Sequence, residues 1–302
     1  MASDPQSLIP NAQSLIATAL AEDIGTGDIT SQLLIPEATQ AEMQFVAREE
    51  MVACGMFIPA AVYAQLDTHI RMQTLVQEGQ QVNKGVVLVK ATGPARALLA
   101  GERVALNLMQ RMCGVATLTS RYVEAVRGTK VVILDTRKTM PGLRALDKYA
   151  VRAGGGQNHR MGLYDMVLVK DNHIALGAGD RGSGIRELIE ETKQKLSLLT
   201  PDPRPLIPII IECDTLSQVE QALAAKPDRI LLDNMDIDIT RKAVALAGGK
   251  VPLEASGGVS LKTVRAIAET GVDYISVGKL THSAPAADIG ADVMMQSKPK
   301  QK

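Results

Sequence analysis

The sequence predicts an α/β protein built from repeated strand–helix units, and two patterns lead to this prediction. From about Val131 onward, short β-branched apolar runs alternate with longer segments of helical period. The apolar runs are continuous, as in the strands of a parallel sheet that is covered on both faces. They are VVILDT, DMVLVKD, PIIIECD, RILLDNM, VPLEASGG and YISVGK. Such regular alternation indicates consecutive βα units, and the chain is long enough for an α/β barrel.

Five segments among these strands have the spacing of amphipathic helices. They are GLRALDKYAVRA, GIRELIEETKQKLSLL, LSQVEQALAAK, ITRKAVALAG and LKTVRAIAET. Thr215, directly before the third segment, and Gln218 within it form the pattern of a capping box. Leu216, Val219 and Leu223 recur on one face of the same segment, which predicts that this face packs inward.

The first third of the chain has a different organisation. A helical segment, SLIPNAQSLIATALAED, precedes the turn-rich GTGDIT, and antiparallel strands are predicted in AEMQFVAREEMVACG and TLVQEGQQVNKGVVLVKATGP. The segment ALLAGERVALNLMQRMCGVATLTSRYVEAV predicts one or two long helices. We therefore predict an N-terminal α/β domain over residues 1–115, with a tail over residues 285–302 that packs back on it, and a barrel domain over residues 116–284.

Composition excludes several classes of function. The 302 residues contain 33 Lys and Arg against 33 Asp and Glu, so the net charge of zero predicts no attraction to nucleic acid or to a membrane. An aromatic content of 2% leaves few platforms for stacking bases. The chain shows no signal-peptide pattern and no membrane-spanning apolar run, which predicts a cytoplasmic protein. Cys54, Cys113 and Cys213 lack CxxC spacing and predict neither a disulfide framework nor a zinc site.

Charged residues and glycines accompany the predicted strands. In a parallel α/β barrel, the side chains at the carboxyl ends of the strands converge on one face, where active sites are built. The candidates are Arg137, Lys138, His159, Arg160, Lys170, Asp171, Glu212, Asp233, Asn234, Ser256, Gly257, Gly258, Gly278 and Lys279. A charge at one strand end is usual for a solvated loop, but a run of six such ends indicates a shared site.

The signs of these charges divide along the chain. The earlier units carry the cationic candidates Arg137, His159, Arg160 and Lys170. These suit an anion with more than one carboxylate, because Arg presents a planar fork of donors. Glu212 and Asp233 suit a divalent metal carried in by a phosphorylated substrate, since Mg²⁺ usually takes one or two carboxylates plus substrate oxygens. The glycines of EASGGVS and VGK occur where barrels of this type commonly bind a phosphate.

Three further patterns favour structural interpretations. GAGDRG, residues 177–182, matches G-x-G-x-x-G, but DNHIAL separates it from its strand, which favours a loop over a dinucleotide site. His173 could be a ligand or a general base, and a hydrogen-bonded structural role is favoured. The stretch VQEGQQVNKGVVLV has the cadence of a biotinyl or lipoyl carrier hairpin, but it lacks a lysine at the tip between Met or aliphatic neighbours, which favours a scaffold.

Long motifs in this sequence resemble the quinolinate phosphoribosyltransferase family, also called nicotinate-nucleotide pyrophosphorylase (carboxylating). They are EDIGTGDITS, GERVALNLMQRMCGVAT, LDTRKTMPGLRALDKYAV, GGGQNHRMGLYDMVLVKDNHI, IECDTL, LLDNM, EASGGV and VGKLTHS. The resemblance runs from about residue 20 to about residue 290. It implies an N-terminal open α/β sandwich, an incomplete seven-stranded TIM-like α/β barrel, and an active site shared within a homodimer or a higher even-numbered assembly.

The resemblance also implies a reaction, in which quinolinate, phosphoribosyl pyrophosphate and Mg²⁺ give nicotinate mononucleotide, pyrophosphate and CO₂ for NAD biosynthesis. It implies that the quinolinate carboxylates bind Arg137, His159, Arg160 and Lys170, together with Arg103 of the partner subunit. It assigns phosphoribosyl pyrophosphate and its metal to Lys138, Glu212 and Asp233. The expected phosphate-loop positions are Ser256, Gly257, Gly258 and Gly278. The expected catalytic residues are Lys138, Lys170, Glu212 and Asp233.

Three other functions stay open at the level of sequence. A Schiff-base, aldolase-like barrel would use Lys138 or Lys170 as a covalent catalyst. A carrier or ligand-binding module would be built around the EGQQVNKG hairpin. A sister phosphoribosyltransferase would act on another pyridine or on a molybdenum-linked substrate. The doubled set of cations favours the dicarboxylate over the substrates of this last alternative.

Overall fold

A computed structural model of the chain describes residues 9–178, 184–199 and 207–295. Most of the GAGDRG motif lies outside the described residues. The described chain forms two compact units, one drawn from Met1–Ser120, Thr139–Gly155 and Leu280–Lys302, the other from Arg121–Lys138 and Gly156–Lys279. The predicted boundary near residue 115 remains a prediction, because these units interleave along the chain and do not meet at one cut.

Helices and strands account for most of the described residues. The strands are β1 (Gln40–Ala47), β2 (Met51–Val52), β3 (Arg71–Thr74), β4 (Gln81–Val82), β5 (Val87–Pro94), β6 (Val132–Leu134), β7 (Val167–Val169), β8 (Ile209–Cys213), β9 (Arg229–Asp233), β10 (Leu253–Ser256), β11 (Tyr274–Ser276) and β12 (Ile289–Met295). The helices are α1 (Ile9–Ile24), α2 (Ile29–Leu34), α3 (Ile58–Tyr63), α4 (Ala95–Ala125), α5 (Arg144–Ala153), α6 (Asp171–Ala178), α7 (Ile185–Leu199), α8 (Leu216–Ala225), α9 (Ile237–Ala247), α10 (Val264–Ala268) and α11 (Lys279–His282). No helix among the described residues is both long and apolar enough to cross a membrane.

The first unit contains an antiparallel sheet with the strand order β12-β1-β5-β3. Strand β12 pairs with β1 from Ala41 opposite Met295 to Ala47 opposite Ile289, so a C-terminal segment extends the N-terminal sheet. Along β1, Met43 and Phe45 are fully buried and alternate with partly exposed residues, as expected for a strand with one face on the core.

Helix termini follow the local sequence closely. Asp28 caps α2 through a bond from the backbone N–H of Ser31, so the turn-rich GTGDIT stretch leads directly into a helix that the sequence analysis had not predicted. The capping box predicted at Thr215 and Gln218 is confirmed, with both of its hydrogen bonds present. The segment predicted as one or two long helices is the single 31-residue helix α4.

The second unit contains a parallel sheet with the strand order β6-β11-β10-β9-β8-β7, and all six predicted strands are confirmed. An isolated parallel bridge joins Leu134 of β6 to Gln157. Gln157 thus lies next to β6 where a seventh strand of the sheet would lie. Ile209, Ile210 and Ile211 of β8 are all buried, in agreement with a sheet covered on both faces. The predicted fold class is therefore confirmed, and the pairs recorded in the described residues leave the sheet open between Gln157 and β7.

A buried ion pair ties together three segments of the first unit. Asp147 of α5 is fully buried, and both of its carboxylate oxygens accept hydrogen bonds of 2.9 Å from the guanidinium group of Arg111 on α4. The same guanidinium group donates to the carbonyl oxygen of Thr281 in α11. Because the charges are removed from water, each depends on its partner for compensation.

We expect Asp147→Asn to lower the free energy of unfolding by about 3 kcal/mol, because it leaves a largely buried guanidinium group without a counter-charge. The measurement is the midpoint of chemical unfolding. The matched control is Asp238→Asn: Asp238 is 83% exposed in its pair with Arg241. That substitution should change stability by less than about 0.5 kcal/mol. Equal effects of the two substitutions would contradict a structural role for the buried pair.

Candidate active site

The parallel sheet places the candidate residues in one row at the carboxyl ends of its strands. Starting from the β7 edge and following the strand order, the row consists of Lys170, Glu212, Asp233, Ser256, Gly278 and Arg137, with His159 and Arg160 beyond the Gln157 bridge. Parallel neighbours expose their carboxyl ends on the same rim. The candidates come from seven separate segments, and the sheet alone brings them to this common rim.

Arg137 and Arg160 form a pair of like charges on the rim. Arg160 is 8% exposed, and burial, followed by the positive charge of Arg137, lowers its pKa. The Nη1 atom of Arg160 donates to the carbonyl oxygen of Met166 at 3.2 Å. The Nε atom of Arg137 is buried and has no hydrogen-bond partner within the described part of the chain. A buried donor without an acceptor, beside a second guanidinium group, is suited to bind an anion.

Lys170 lies at the opposite edge of the row and is paired with a carboxylate. Its Nζ atom lies 2.7 Å from Oε2 of Glu212, whose side chain is 11% exposed. The backbone N–H of Lys170 donates to Nδ1 of His173 at 3.0 Å, in agreement with the structural role favoured for that histidine. Glu212 thus contacts the Nζ atom of Lys170, which an aldolase-like enzyme would need free to attack a carbonyl substrate.

Carboxylates cluster next to this ion pair. One cleft is lined by Asp171, Ile174, Glu212, Asp214, Gln218 and Asp233. The oxygen atoms in this cleft are hard donors, as Mg²⁺ requires. Within the described ranges, no group of three or more His, Cys, Asp or Glu residues is placed to hold a metal ion by itself. The donor set fits a cation that brings most of its ligands from a substrate and takes one or two from the protein.

The loop after β10 has a backbone that requires glycine. Gly257 has φ +91°, and a Cβ atom there would overlap the side-chain carbonyl of Asn234 and lie 2.9 Å from its backbone nitrogen. Asn234 itself has φ +53°, and its N–H donates to the carbonyl oxygen of Ser256 at 2.9 Å. Its side-chain amide donates to Asp233 at 2.7 Å. The glycine loop is therefore packed directly against the carboxylate end of β9.

His159 lies on the rim with its ring turned into the protein. The side chain is 6% exposed, and its Nε2 atom lies 3.5 Å from Oε2 of Glu254. Glu254 and Asp135 are fully buried acidic residues beneath the rim, and neither is among the candidates predicted from the sequence. The signal that could have found them is an acidic residue inside or directly after an apolar strand run, LEAS for Glu254 and VILD for Asp135.

The two remaining candidates are exposed. Lys138 follows Arg137, and its backbone N–H donates to Oγ1 of Thr136 at 3.0 Å. Arg103 lies on α4 in the first unit, with a side chain that is 57% exposed and 3.5 Å from the carboxylate of Glu102. Its predicted contribution to the site of a second subunit stays a prediction, as do the roles assigned to the other candidates.

We expect Gly257→Ala to lower the free energy of unfolding by about 2–3 kcal/mol, because it combines a positive φ with an overlap against Asn234. Gly258→Ala is the matched control, since Gly258 also has a positive φ, +61°, but has nothing within 4 Å of an added Cβ. The control should cost about 1 kcal/mol. The measurement is the thermal unfolding midpoint, and equal losses would show that the contact with Asn234 has no influence.

Comparisons with known proteins agree with this arrangement. The family model for the N-terminal domain of quinolinate phosphoribosyl transferase matches residues 28–113, and the model for the C-terminal domain matches residues 115–292. A protein of Bacillus subtilis described as "Probable nicotinate-nucleotide pyrophosphorylase (carboxylating)" is 42% identical over 276 residues, which are 91% of each chain. Quinolinate phosphoribosyltransferase (decarboxylating) 1 of Nicotiana glauca is 39% identical over 293 residues, covering 93% of this chain and 82% of the relative.

Solved structures show the same fold. The nicotinate-nucleotide pyrophosphorylase of Francisella tularensis superposes with a TM-score of 0.86 at 38% identity, covering 97% of this chain and 98% of the other. The corresponding protein of Ehrlichia chaffeensis gives a TM-score of 0.84 at 42% identity, covering 93% and 98%. Both domains, the strand order and the relatives lead to one conclusion: the chain belongs to the quinolinate phosphoribosyltransferase family.

Proposed function

We propose that this protein transfers the phosphoribosyl group of phosphoribosyl pyrophosphate to quinolinate with loss of CO₂. The products are nicotinate mononucleotide and pyrophosphate, which supply NAD biosynthesis. Membership of the family supports the reaction. The observation on this chain that carries the proposal is the pair of Arg137 and Arg160, with one buried guanidinium nitrogen that finds no acceptor among the residues the structure describes. A dicarboxylate would supply that acceptor and would separate two like charges that otherwise repel each other.

The cations on the rim would offset the negative charge of the two substrates. Both substrates are strongly anionic, and in a partly dry cleft their mutual repulsion would prevent close approach. Arg137, Arg160 and Lys170 would neutralise the two carboxylates of quinolinate, with His159 behind them. Lys138 is the neighbouring cation for phosphoribosyl pyrophosphate. Adjacent positions in the chain would thus bind the two substrates, which brings the pyridine nitrogen and ribose C1 together.

Glu212 and Asp233 would bind the ribose-bearing substrate from the other side of the site. The phosphate groups would meet the backbone of Ser256, Gly257, Gly258 and Gly278. Mg²⁺ carried with phosphoribosyl pyrophosphate would neutralise the departing pyrophosphate, and Glu212 and Asp233 would be its protein ligands. Lys170, 2.7 Å from Glu212, would connect the metal side of the site to the carboxylate side.

The order of bond changes follows from the chemistry of the two substrates. Departure of pyrophosphate leaves positive charge on ribose C1, and the pyridine nitrogen of quinolinate attacks that carbon. The nitrogen then carries a positive charge and becomes an electron sink beside the C2 carboxylate. CO₂ leaves from C2, and its bonding electrons pass into the ring, where a proton replaces it. The residues of the chain contribute orientation and counter-charge and form no covalent intermediate.

The first test is the reaction itself, with quinolinate, phosphoribosyl pyrophosphate and Mg²⁺ and measurement of CO₂ and nicotinate mononucleotide. We expect Arg137→Ala and Arg160→Ala each to lower kcat/KM by at least about 30-fold, the equivalent of one charge-assisted hydrogen bond of about 2 kcal/mol. Arg241→Ala, an exposed arginine in an i,i+3 pair, is the control. If the wild type is active and the two substitutions have no effect, the proposed carboxylate clamp is wrong. If the wild type is inactive, the proposed reaction is wrong.

We also propose a homodimer, or a higher even-numbered assembly, in which Arg103 enters the site of the partner subunit. The support is an exposed arginine on a long helix together with the family resemblance. Each subunit would then need Arg103 from its neighbour and Lys138 of its own.

Mixed assemblies test this arrangement. Arg103→Ala and Lys138→Ala proteins should each be nearly inactive, whereas a verified mixture of the two should regain activity. In a mixed dimer, one site combines both substitutions and the other has neither, so about a quarter of wild-type activity is expected for a random mixture. Absence of recovery in verified mixed dimers would place Arg103 in its own subunit's site or outside any site.

A further inference from the structure

A fully buried carboxylate anchors the segment that carries His159 and Arg160. Asp135, directly after β6, accepts hydrogen bonds from the backbone N–H of His159 at 2.8 Å and from the side-chain amide of Asn158 at 2.6 Å. Its own backbone N–H donates to the carbonyl oxygen of Gln157 at 3.1 Å. The backbone directly before Arg160 is thus hydrogen-bonded to the end of β6.

The ring of His159 is oriented by two protein groups. The backbone N–H of Arg160 donates to Nδ1 at 2.7 Å, so Nδ1 is an acceptor and the ring proton lies on Nε2. The Nε2 atom faces Oε2 of Glu254 at 3.5 Å. His159 therefore connects the backbone of Arg160 on one side to a buried carboxylate on the other. The direct contact with substrate that the resemblance implies for His159 stays a prediction.

Glu254 is a fully buried carboxylate in which only one of the two oxygen atoms has partners among the described residues. It is fully buried on β10, and its Oε2 atom accepts a bond of 2.8 Å from Arg229. Arg229 is stacked 3.8 Å over the ring of Tyr274. Burial raises the pKa of Glu254, and the hydrogen bonds from His159 and Arg229 outweigh it, so the pKa lies below its usual value. The Oε1 atom accepts no hydrogen bond from the described residues.

A buried ion pair of this kind contributes little net stability compared with apolar packing. An unsatisfied carboxylate oxygen adds a further penalty. Arg137 and Arg160, by contrast, repel each other, so their positions must be fixed by contacts outside the pair. Glu254 supplies such a contact through the His159 ring.

We propose that Glu254 is a positioning residue for the carboxylate clamp: through His159 it holds the backbone of Arg160 and so fixes the guanidinium group of Arg160 beside Arg137. The proposal rests on the proposed function, since the clamp binds quinolinate. Glu254 touches no substrate. Its side chain contacts His159 and Arg229, so we expect a larger effect on the binding of the pyridine dicarboxylate than on that of phosphoribosyl pyrophosphate, although the phosphate-loop residues follow Glu254 on β10.

The kinetic test uses Glu254→Gln and His159→Asn. Gln keeps one acceptor oxygen but removes the negative charge that faces His159 and Arg229, and Asn retains an acceptor in place of Nδ1 but lacks the Nε2–H. Each substitution should raise the KM for quinolinate about 10-fold, because the guanidinium group of Arg160 is no longer held beside Arg137. The KM for phosphoribosyl pyrophosphate should stay within about 2-fold of the wild-type value. The double variant should be no more than about 2-fold worse than either single one, since both remove the same contact.

A spectroscopic test needs no substrate. In protein labelled with ¹⁵N-histidine, the His159 ring signals, assigned by their loss in His159→Asn, should report an Nε2–H tautomer in wild type. Glu254→Gln should shift those signals and leave the signals of His69, which lies in the first unit, unchanged. If Glu254→Gln does not fold, His159→Asn still supplies the kinetic comparison and the wild-type spectrum still reports the tautomer.

Each outcome decides one part. Equal increases in both KM values, effects that multiply in the double variant, or unchanged His159 signals in folded Glu254→Gln would overturn the positioning role. A wild-type tautomer with the proton on Nδ1 would do the same. An inactive wild type with the expected His159 signals would overturn the proposed function and leave the orientation of His159 by Glu254 standing.

Discussion

Mutual repulsion between two partly buried guanidinium groups is the constraint on which the rest of this site depends. Burial lowers the pKa of Arg160, the positive charge of Arg137 lowers it further, and the negative charge of Asp165 acts in the opposite direction. The scaffold below the rim therefore has to fix the geometry of two like charges. Asp135 fixes the incoming backbone, and His159 links that backbone to Glu254. Buried carboxylates therefore hold the segment that carries His159 and Arg160 in position.

The parallel sheet makes such placement possible. Its strands bring residues from seven separate segments to one rim. The distances between neighbouring strand ends are set by the hydrogen bonds between the strands and not by flexible loops. The row has a chemical order, with carboxylates on β8 and β9, the glycine loop after β10, and arginines beside β6. This order separates the carboxylates of β8 and β9 from the arginines beside β6. A substrate pair that carries phosphate on one partner and two carboxylates on the other matches that order.

Several predictions from the sequence were confirmed because they depend on local patterns. Continuous apolar runs identified all six parallel strands, and the Thr215 capping box was read correctly from two residues. Strand ends could also be proposed as a site, because parallel strands must share a carboxyl edge. Other features were missed or remained ambiguous because they depend on distant residues. The strand pairing between β12 and β1 is an example, whereas the cap at Asp28 and the single helix α4 are local features that were missed or left ambiguous.

The sequence alone thus determined the type and order of the elements and the chemistry available at each strand end, since both are encoded in short stretches of residues. Only the tertiary structure decided how those groups are paired. Lys170 meets Glu212, His159 meets Glu254 and Arg137 lies near Arg160, although none of these pairs is adjacent in the sequence. The physical reason is that electrostatic interactions depend on distance and burial, which are set by the packing of the strands and have no signature in the local sequence.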